Sequence, residues 1–152
     1  TASLLSGACE TGAIRAPAEQ RQAMREFGLR LGMAFQIVDD LLDYTGDATI
    51  TGKPVGADLR EHKVTLPLIY ALPRLSARQR REVSALMDTE TPTDAQIAAV
   101  VEAVTEAGGL DYARERAASL STGAEAALEV LAPSPAREAL RASIPFVLDR
   151  RS

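Results

Sequence analysis

LGMAFQIVDDLLDYTGD, residues 31–47, is apolar along most of its length and yet carries the carboxylates of Asp39, Asp40 and Asp43. On a helical wheel of about 100° per residue, these carboxylates and Gln36 fall within an arc of about 100°. Apolar side chains cover the rest of the circumference, which indicates a helix largely surrounded by protein. The single polar stripe of such a helix must face water, a polar group or an ion, because carboxylates are not stable against an apolar core.

The polar stripe has two interpretations. A solvated stripe would place like charges side by side, and such charges repel unless cations lie nearby; no Lys or Arg occurs between Arg30 and Lys53. Alternatively, the carboxylates bind a cation together. Mg²⁺ suits hard oxygen ligands on a rigid helix, because it takes few protein carboxylates and completes its shell with water or substrate phosphate. We therefore predict a Mg²⁺ site at Asp39, Asp40 and Asp43.

The composition restricts the class of protein. A chain of 152 residues with 46% apolar residues is long enough to bury one core, so we expect residues 1–152 to belong to a single domain. The net charge of -4 gives no support for a nucleic-acid partner. Cys9 is the single cysteine, which excludes an internal disulfide and favours a cytoplasmic location.

The hydrophobic periodicity predicts an all-α protein of six or seven helices. These helices are expected over residues 1–14, 17–44, 64–72, 76–87, 93–109, 110–131 and 135–148. Ser76 and Thr93 are the expected N-caps of two of them. Gly28 and Gly32, one turn apart, indicate that another element packs closely against the long second helix.

TGDATITGKPVGADLREHK, residues 45–63, is predicted to be a long loop, since it contains three Gly and one Pro. Long ordered loops in compact domains are usually functional. Lys53 and Lys63 flank Asp58 in this segment. Together with a carboxylate–magnesium face, cations and glycines of this kind are typical of a diphosphate site.

FQIVDDLLDY (residues 35–44), followed by TGKPVGADLREHKVTLPLIYAL (residues 51–72), resembles the second aspartate-rich region of the trans-polyprenyl diphosphate synthases. The matching motifs are Phe-Gln before DDxxD, then Gly-Lys-Pro, Gly-x-Asp-Leu and Lys-x-Thr-Leu-Pro. The opening TASLL is similar to the Lys-Thr-Ala segment of that family. The resemblance covers the whole chain but only the C-terminal half of the family, so we expect the chain to be the C-terminal part of such a domain.

The resemblance implies an all-α helical bundle of the isoprenoid synthase type, of which this chain would supply about half. It also implies that Asp39 binds Mg²⁺ directly, and that Asp40 and Asp43 act directly or through water. Lys53 matches a lysine that holds the allylic diphosphate.

The same resemblance implies roles for four more residues. Asp58 and Lys63 match positions that line the diphosphate end of the pocket. Thr1 and Gln36 match polar groups near the first carbons of the allylic chain, where positive charge develops.

The implied activity is a magnesium-dependent prenyl transfer. Isopentenyl diphosphate would condense with an allylic prenyl diphosphate by ionisation, condensation and elimination. TASLLSGACETGAI and LGMAFQIVDDLLDY are more similar to long-chain than to farnesyl synthases, which favours a longer product and an enzyme working close to a membrane surface.

The family's first aspartate-rich motif and isopentenyl site lie in its N-terminal half, and no other DDxxD occurs in this sequence. The chain alone is therefore expected to be inactive. The alternative is a natural short protein, a non-catalytic partner subunit or scaffold.

Two further expectations concern His62 and the apolar face of the long helix. His62 occupies a position where the family pattern has Gly, and it is interpreted either as a surface loop residue or as a phosphate contact. A stripe of Leu31, Phe35, Val38 and Leu42 would be exposed in half a bundle. We therefore expect self-association, or association with the N-terminal half, to cover that face.

Overall fold

The structure, a computed structural model, describes residues 1–46 and 55–148. All regular structure in these ranges is helical, which confirms the all-α prediction. The α-helices are α1 (Ala2–Gly12), α2 (Ala18–Thr45), α3 (Ala57–Arg60), α4 (Leu66–Ala71), α5 (Ala77–Met87), α6 (Asp94–Glu106), α7 (Gly109–Ala127) and α8 (Pro135–Leu148). Short 3₁₀ helices at Leu72–Arg74 and Leu128–Val130 follow α4 and α7. The helix that the sequence did not indicate is α3.

The two predicted N-caps are confirmed. Ser76 precedes α5 and accepts a hydrogen bond from the backbone N–H of Gln79, whose side chain accepts one from the Ser76 N–H. Thr93 and Gln96 form the same reciprocal arrangement at the start of α6. Each pair satisfies two backbone donors that the first turn of a helix leaves without partners.

The described residues form two compact units. Residues 1–38 and 115–148 make the first unit, and residues 39–46 and 55–114 make the second. Helix α2 contributes to both, and its last two turns belong to the second unit.

The core of the first unit is formed where α2 packs against α7, α8 and the 3₁₀ turn between them. Its buried members are Phe27, Leu31, Ala34, Ala124, Leu128, Ile144 and Val147. Because these residues come from segments far apart in the sequence, this core depends on long-range contacts rather than on local helix propensity.

The predicted close approach at Gly28 and Gly32 is confirmed, and the partner is α1. A Cβ atom at Gly28 would lie 2.5 Å from the carbonyl oxygen of Leu5, and one at Gly32 would lie 2.6 Å from the Cα atom of Ala2. These are backbone atoms, which cannot turn away as the end of a side chain could. Glycine at both positions therefore lets α1 lie directly against α2.

The predicted exposure of the Leu31 stripe is wrong. Leu31 and Val38 are each 8% exposed, and Phe35 and Leu42 are partly buried. Leu31 lies in the first unit's core, where residues of α7 and α8 cover it. The large apolar side chains that are exposed in the first unit lie elsewhere, on α1 (Leu4), after it (Ile14), on α2 (Met33) and on α8 (Phe146 and Leu148).

In the second unit, α6 packs against both α4 and α5. Leu59, Leu68, Leu86 and Val104 are fully buried in this unit. A Cβ at Gly109 would lie 2.5 Å from the carbonyl oxygen of Pro67, so the first turn of α7 lies directly against α4. Leu59 of α3 is among these buried residues, so the same core holds the helix that carries Asp58, one of the predicted site residues.

Candidate functional site

The three carboxylates of the polar stripe differ in their surroundings. Asp39 is exposed, while Asp40 and Asp43 are partly buried. Among residues 1–46 and 55–148, no group of three or more His, Cys, Asp or Glu side chains is arranged to hold a metal ion. The assignment of Asp39, Asp40 and Asp43 as metal ligands therefore stays a prediction.

Asp43 holds the start of α3. Its carboxylate accepts hydrogen bonds from the backbone N–H groups of Ala57, at 2.9 Å, and Asp58, at 3.1 Å. Its backbone carbonyl accepts a third, from the N–H of Gly56 at 2.9 Å. Burial raises the pKa of the Asp43 carboxyl above its ordinary value, and the two N–H bonds act in the opposite direction.

The segment after α3 ends the helix with two backbone hydrogen bonds. The N–H of His62 donates to the carbonyl of Leu59 at 3.1 Å, and the N–H of Lys63 donates to the carbonyl of Asp58 at 2.8 Å. This is the Schellman pattern, in which the residue that follows the C-cap adopts a left-handed conformation. His62 is that residue, with a φ of 56°. The glycine that the family pattern has at this position is explained by the backbone, because glycine adopts positive φ without steric cost.

Asp58 and Lys63 are brought together by this turn. The Lys63 ammonium nitrogen lies 3.1 Å from Oδ1 of Asp58 and 2.6 Å from Oε2 of Glu61. The hydrogen bonds to Glu61 and Asp58 raise the pKa of Lys63, so this side chain stays cationic at neutral pH. The Lys63 side chain is 56% exposed, so its charge is accessible to a ligand in the described structure.

Three further residues, Lys53, Thr1 and Gln36, were predicted to contact the substrate. Lys53 lies outside the described residues. Thr1 and Gln36 belong to the first unit, where both are exposed. Thr1 precedes α1 at the N-cap position and makes no side-chain capping bond. Their roles stay predictions.

Arg60, which no sequence pattern indicated as a site residue, connects α3 to the start of α6. Its guanidinium donates to the Pro92 carbonyl at 3.2 Å and pairs with Asp94 at 2.5 Å. Tyr44 was likewise not predicted; its buried hydroxyl accepts a hydrogen bond from the hydroxyl of Thr65 at 3.4 Å. Burial raises the pKa of Tyr44 to about 12, so the hydroxyl remains protonated. Tyr44 and Thr65 both lie within the motifs quoted above. Their place in those motifs was the sequence feature that could have identified them as site residues.

Comparisons with known proteins place these residues in a family. The family model described as "Polyprenyl synthetase" matches residues 1–104. An all-trans-nonaprenyl-diphosphate synthase (geranyl-diphosphate specific) from Rhodobacter capsulatus is 40% identical over 151 residues, which are 99% of this chain and 46% of that protein. A short chain isoprenyl diphosphate synthase from Methanothermobacter thermautotrophicus is 36% identical over 152 residues, 99% of this chain and 46% of that protein.

A solved structure supports the same assignment. The polyprenyl synthase from Caulobacter crescentus CB15, complexed with calcium and isoprenyl diphosphate, has a TM-score of 0.90 and 36% identity. It is matched over 100% of this chain and 47% of its own length. The chain thus spans about half the length of the relatives it matches, and the prediction of an isoprenoid synthase type of helical fold is confirmed. On the family match and the fold together, the chain belongs to the polyprenyl synthetase family.

Proposed function

We propose that this chain is the C-terminal part of a prenyltransferase that condenses isopentenyl diphosphate with an allylic prenyl diphosphate. The observation that carries the proposal is the identity of 40% and 36%, over 99% of this chain, to two proteins named as prenyl diphosphate synthases. We further propose that the product is a polyprenyl diphosphate longer than farnesyl diphosphate, because the 40% identical relative is named as a nonaprenyl-diphosphate synthase.

The chemistry needs charge neutralisation of a leaving diphosphate. In our proposal Asp39 and Asp40 bind Mg²⁺, because hard carboxylate oxygens on one helix suit an ion that takes one or two protein carboxylates and fills its shell with phosphate oxygens. A metal held there would supply charge neutralisation for the diphosphate while the bond between the diphosphate oxygen and the allylic carbon breaks. The calcium in the Caulobacter crescentus relative supports a divalent metal in this family.

The chain's own residues supply the rest of the proposed electrostatics. The exposed Lys63 ammonium, held beside Asp58, adds positive charge for the diphosphate. Lys53 is proposed for the same task from its place in the Gly-Lys-Pro motif. Thr1 and Gln36 are proposed to support the allylic cation, since an uncharged oxygen stabilises positive charge without carrying a full negative charge.

A chimera tests this function directly. The matched segment of the Rhodobacter capsulatus enzyme is replaced by this chain, and turnover of isopentenyl and geranyl diphosphates is measured with Mg²⁺. We expect the chimera to be active, and Asp39→Asn to lower its turnover by orders of magnitude. Asp111→Asn is the matched control, because Asp111 is an exposed carboxylate paired with Arg114 on α7.

Three results would count against the proposal. An inactive chimera that folds normally would favour the alternative of a non-catalytic partner subunit or scaffold. Equal loss in the Asp39 and Asp111 variants would remove the special role of Asp39. Turnover by the purified 152-residue chain alone would contradict the expectation that the other half of the fold is required.

The setting of the protein is also part of the proposal. No helix in the described part of the chain has the length and hydropathy needed to span a membrane. We propose a cytoplasmic protein that works near a membrane surface because of its long product. We also propose that it associates with the N-terminal half of the fold or with a second copy, since Leu4 is 76% exposed on α1.

A further inference from the structure

Helix α3 begins without the cap that a helix start needs. The first N–H groups of any helix have no partner within the helix and are usually satisfied by a Ser, Thr, Asp or Asn side chain at the N-cap. The N-cap of α3 is Gly56, which has no side chain to offer. A side chain at this position would also be strained, because φ is 78°, and its Cβ would collide with Ile97.

Asp43 supplies the missing cap from another helix. One carboxylate oxygen accepts from the N–H of Ala57, the first residue of α3, and the other accepts from Asp58, the second. The Asp43 carbonyl accepts from Gly56 as well. Three successive N–H groups are therefore held by one residue at the end of α2. Hydrogen bonds of this kind to a charged acceptor are stronger than those between neutral groups.

The positions of the side chains on α3 depend on these hydrogen bonds to Asp43. A helix of four residues is too short to be stable by itself, so outside contacts must fix its position. The burial of Leu59 and the Arg60 contacts fix its other side, and Asp43 fixes its first turn. Asp58 lies in its first turn, and its side chain and carbonyl both bond to Lys63. The position of the Lys63 ammonium group is therefore linked, through Asp58, to the carboxylate of Asp43.

We propose that Asp43 is a positioning residue, which sets the place of Asp58 and Lys63 by capping α3, and that this is its main contribution rather than direct binding of metal. The inference rests on the proposed function for its effect on substrate, but the capping itself does not. Asp39 and Asp43, two carboxylates of one motif, would then differ in what they do.

Amide hydrogen exchange of the full 152-residue chain, without metal or substrate, tests the capping. Asp43→Asn keeps one acceptor oxygen but turns an NH₂ group toward the other N–H. We expect the amides of Ala57 and Asp58 to exchange roughly tenfold faster or more. Asp39→Asn makes the same chemical change one helical turn earlier and should leave these two amides unaffected. Unchanged protection in Asp43→Asn, or equal loss in both variants, would overturn the proposal.

A double-mutant cycle in the chimera tests the link to Lys63. If Asp43 acts through Lys63, Asp43→Asn should raise the KM for the allylic diphosphate in the Lys63 enzyme and add little in a Lys63→Ala enzyme. General destabilisation would instead raise KM independently of Lys63, and additive effects would therefore contradict the positioning role. An inactive parent chimera would count against the proposed function, while the exchange measurement would still decide whether Asp43 caps α3.

Discussion

The imidazole Nε2 of His62 lies 2.9 Å from the carbonyl oxygen of Thr89, while the backbone of the same residue has a φ of 56°. The side-chain hydrogen bond stabilises the turn, whereas a left-handed conformation is unfavourable for a residue with a Cβ atom. His62 thus combines a favourable contact with an unfavourable backbone conformation.

The first prediction separates these two effects. His62→Ala keeps the left-handed backbone and loses the hydrogen bond, whereas His62→Gly loses the bond and relieves the backbone. We expect the Gly variant to be more stable than the Ala variant by about 1 kcal/mol in urea unfolding. Ala118, which is exposed within α7, is the control position. There the chain with Gly should be less stable than the chain with Ala, because Gly is the poorer helix former. An Ala variant at position 62 as stable as the Gly variant would contradict this explanation.

The second prediction concerns the contact between α1 and α2. Gly28→Ala should destabilise the chain by about 1–3 kcal/mol, because the new methyl group meets the Leu5 backbone. Gly7→Ala is the control, since nothing lies within 4 Å of a Cβ at that position. It should stabilise α1 by up to about 1 kcal/mol through helix propensity. Thermal melts of both variants test this, and a neutral Gly28→Ala would show that the helices can separate without cost.

The third prediction concerns stability in acid. Glu129 pairs with Arg137 at 2.6 Å, and this hydrogen bond holds the pKa of Glu129 below its usual 4.5. A carboxyl with a lowered folded-state pKa stabilises the fold above its unfolded pKa, and this stabilisation is lost as pH falls through the folded-state value. Glu129→Gln should therefore flatten the decline of Tm below pH 4.5. In an Arg137→Gln background the same substitution should change the pH profile less, but some effect should remain, because Arg141 also pairs with Glu129 at 2.7 Å. An undiminished effect there would show that Arg137 does not lower this pKa.

The fourth prediction concerns association. Leu4 is 76% exposed on α1, and the neighbouring Gly7, Ala8 and Thr11 are exposed on the same helix. We expect the pure chain to associate in light scattering, and Leu4→Lys to reduce its apparent mass. Ala118→Lys adds the same charge at an exposed position on α7 and should not. A monomeric parent chain would show that this face needs no cover.

Local signals in the sequence predicted the local features well. Ser76 and Thr93 were identified as N-caps because capping involves residues within one turn. Gly28 and Gly32 indicated a close approach because two glycines on one helical face leave room for backbone. The polar stripe and the loop motifs together indicated the family.

Features that depend on distant segments could not be predicted in this way. The stripe containing Leu31 was expected to be exposed, but α7 and α8 return to cover Leu31. The cap that Asp43 provides joins residues 14 and 15 positions apart, a distance over which no local sequence pattern acts. The unusual residue at position 62 was noticed, but only its φ explains why the family pattern has Gly there.

The packing of Gly56 against Ile97 makes two distant positions mutationally dependent on each other. A larger residue at 56 has to overcome both the collision with Ile97 and the strain of a φ of 78°, so shortening Ile97 alone would restore only part of the loss. In a library that varies both sites, residues other than Gly at 56 should survive mainly beside small residues at 97. The residues allowed at position 97 of α6 are therefore limited by the backbone at Gly56, even though Ile97 has no charge and matches none of the motifs.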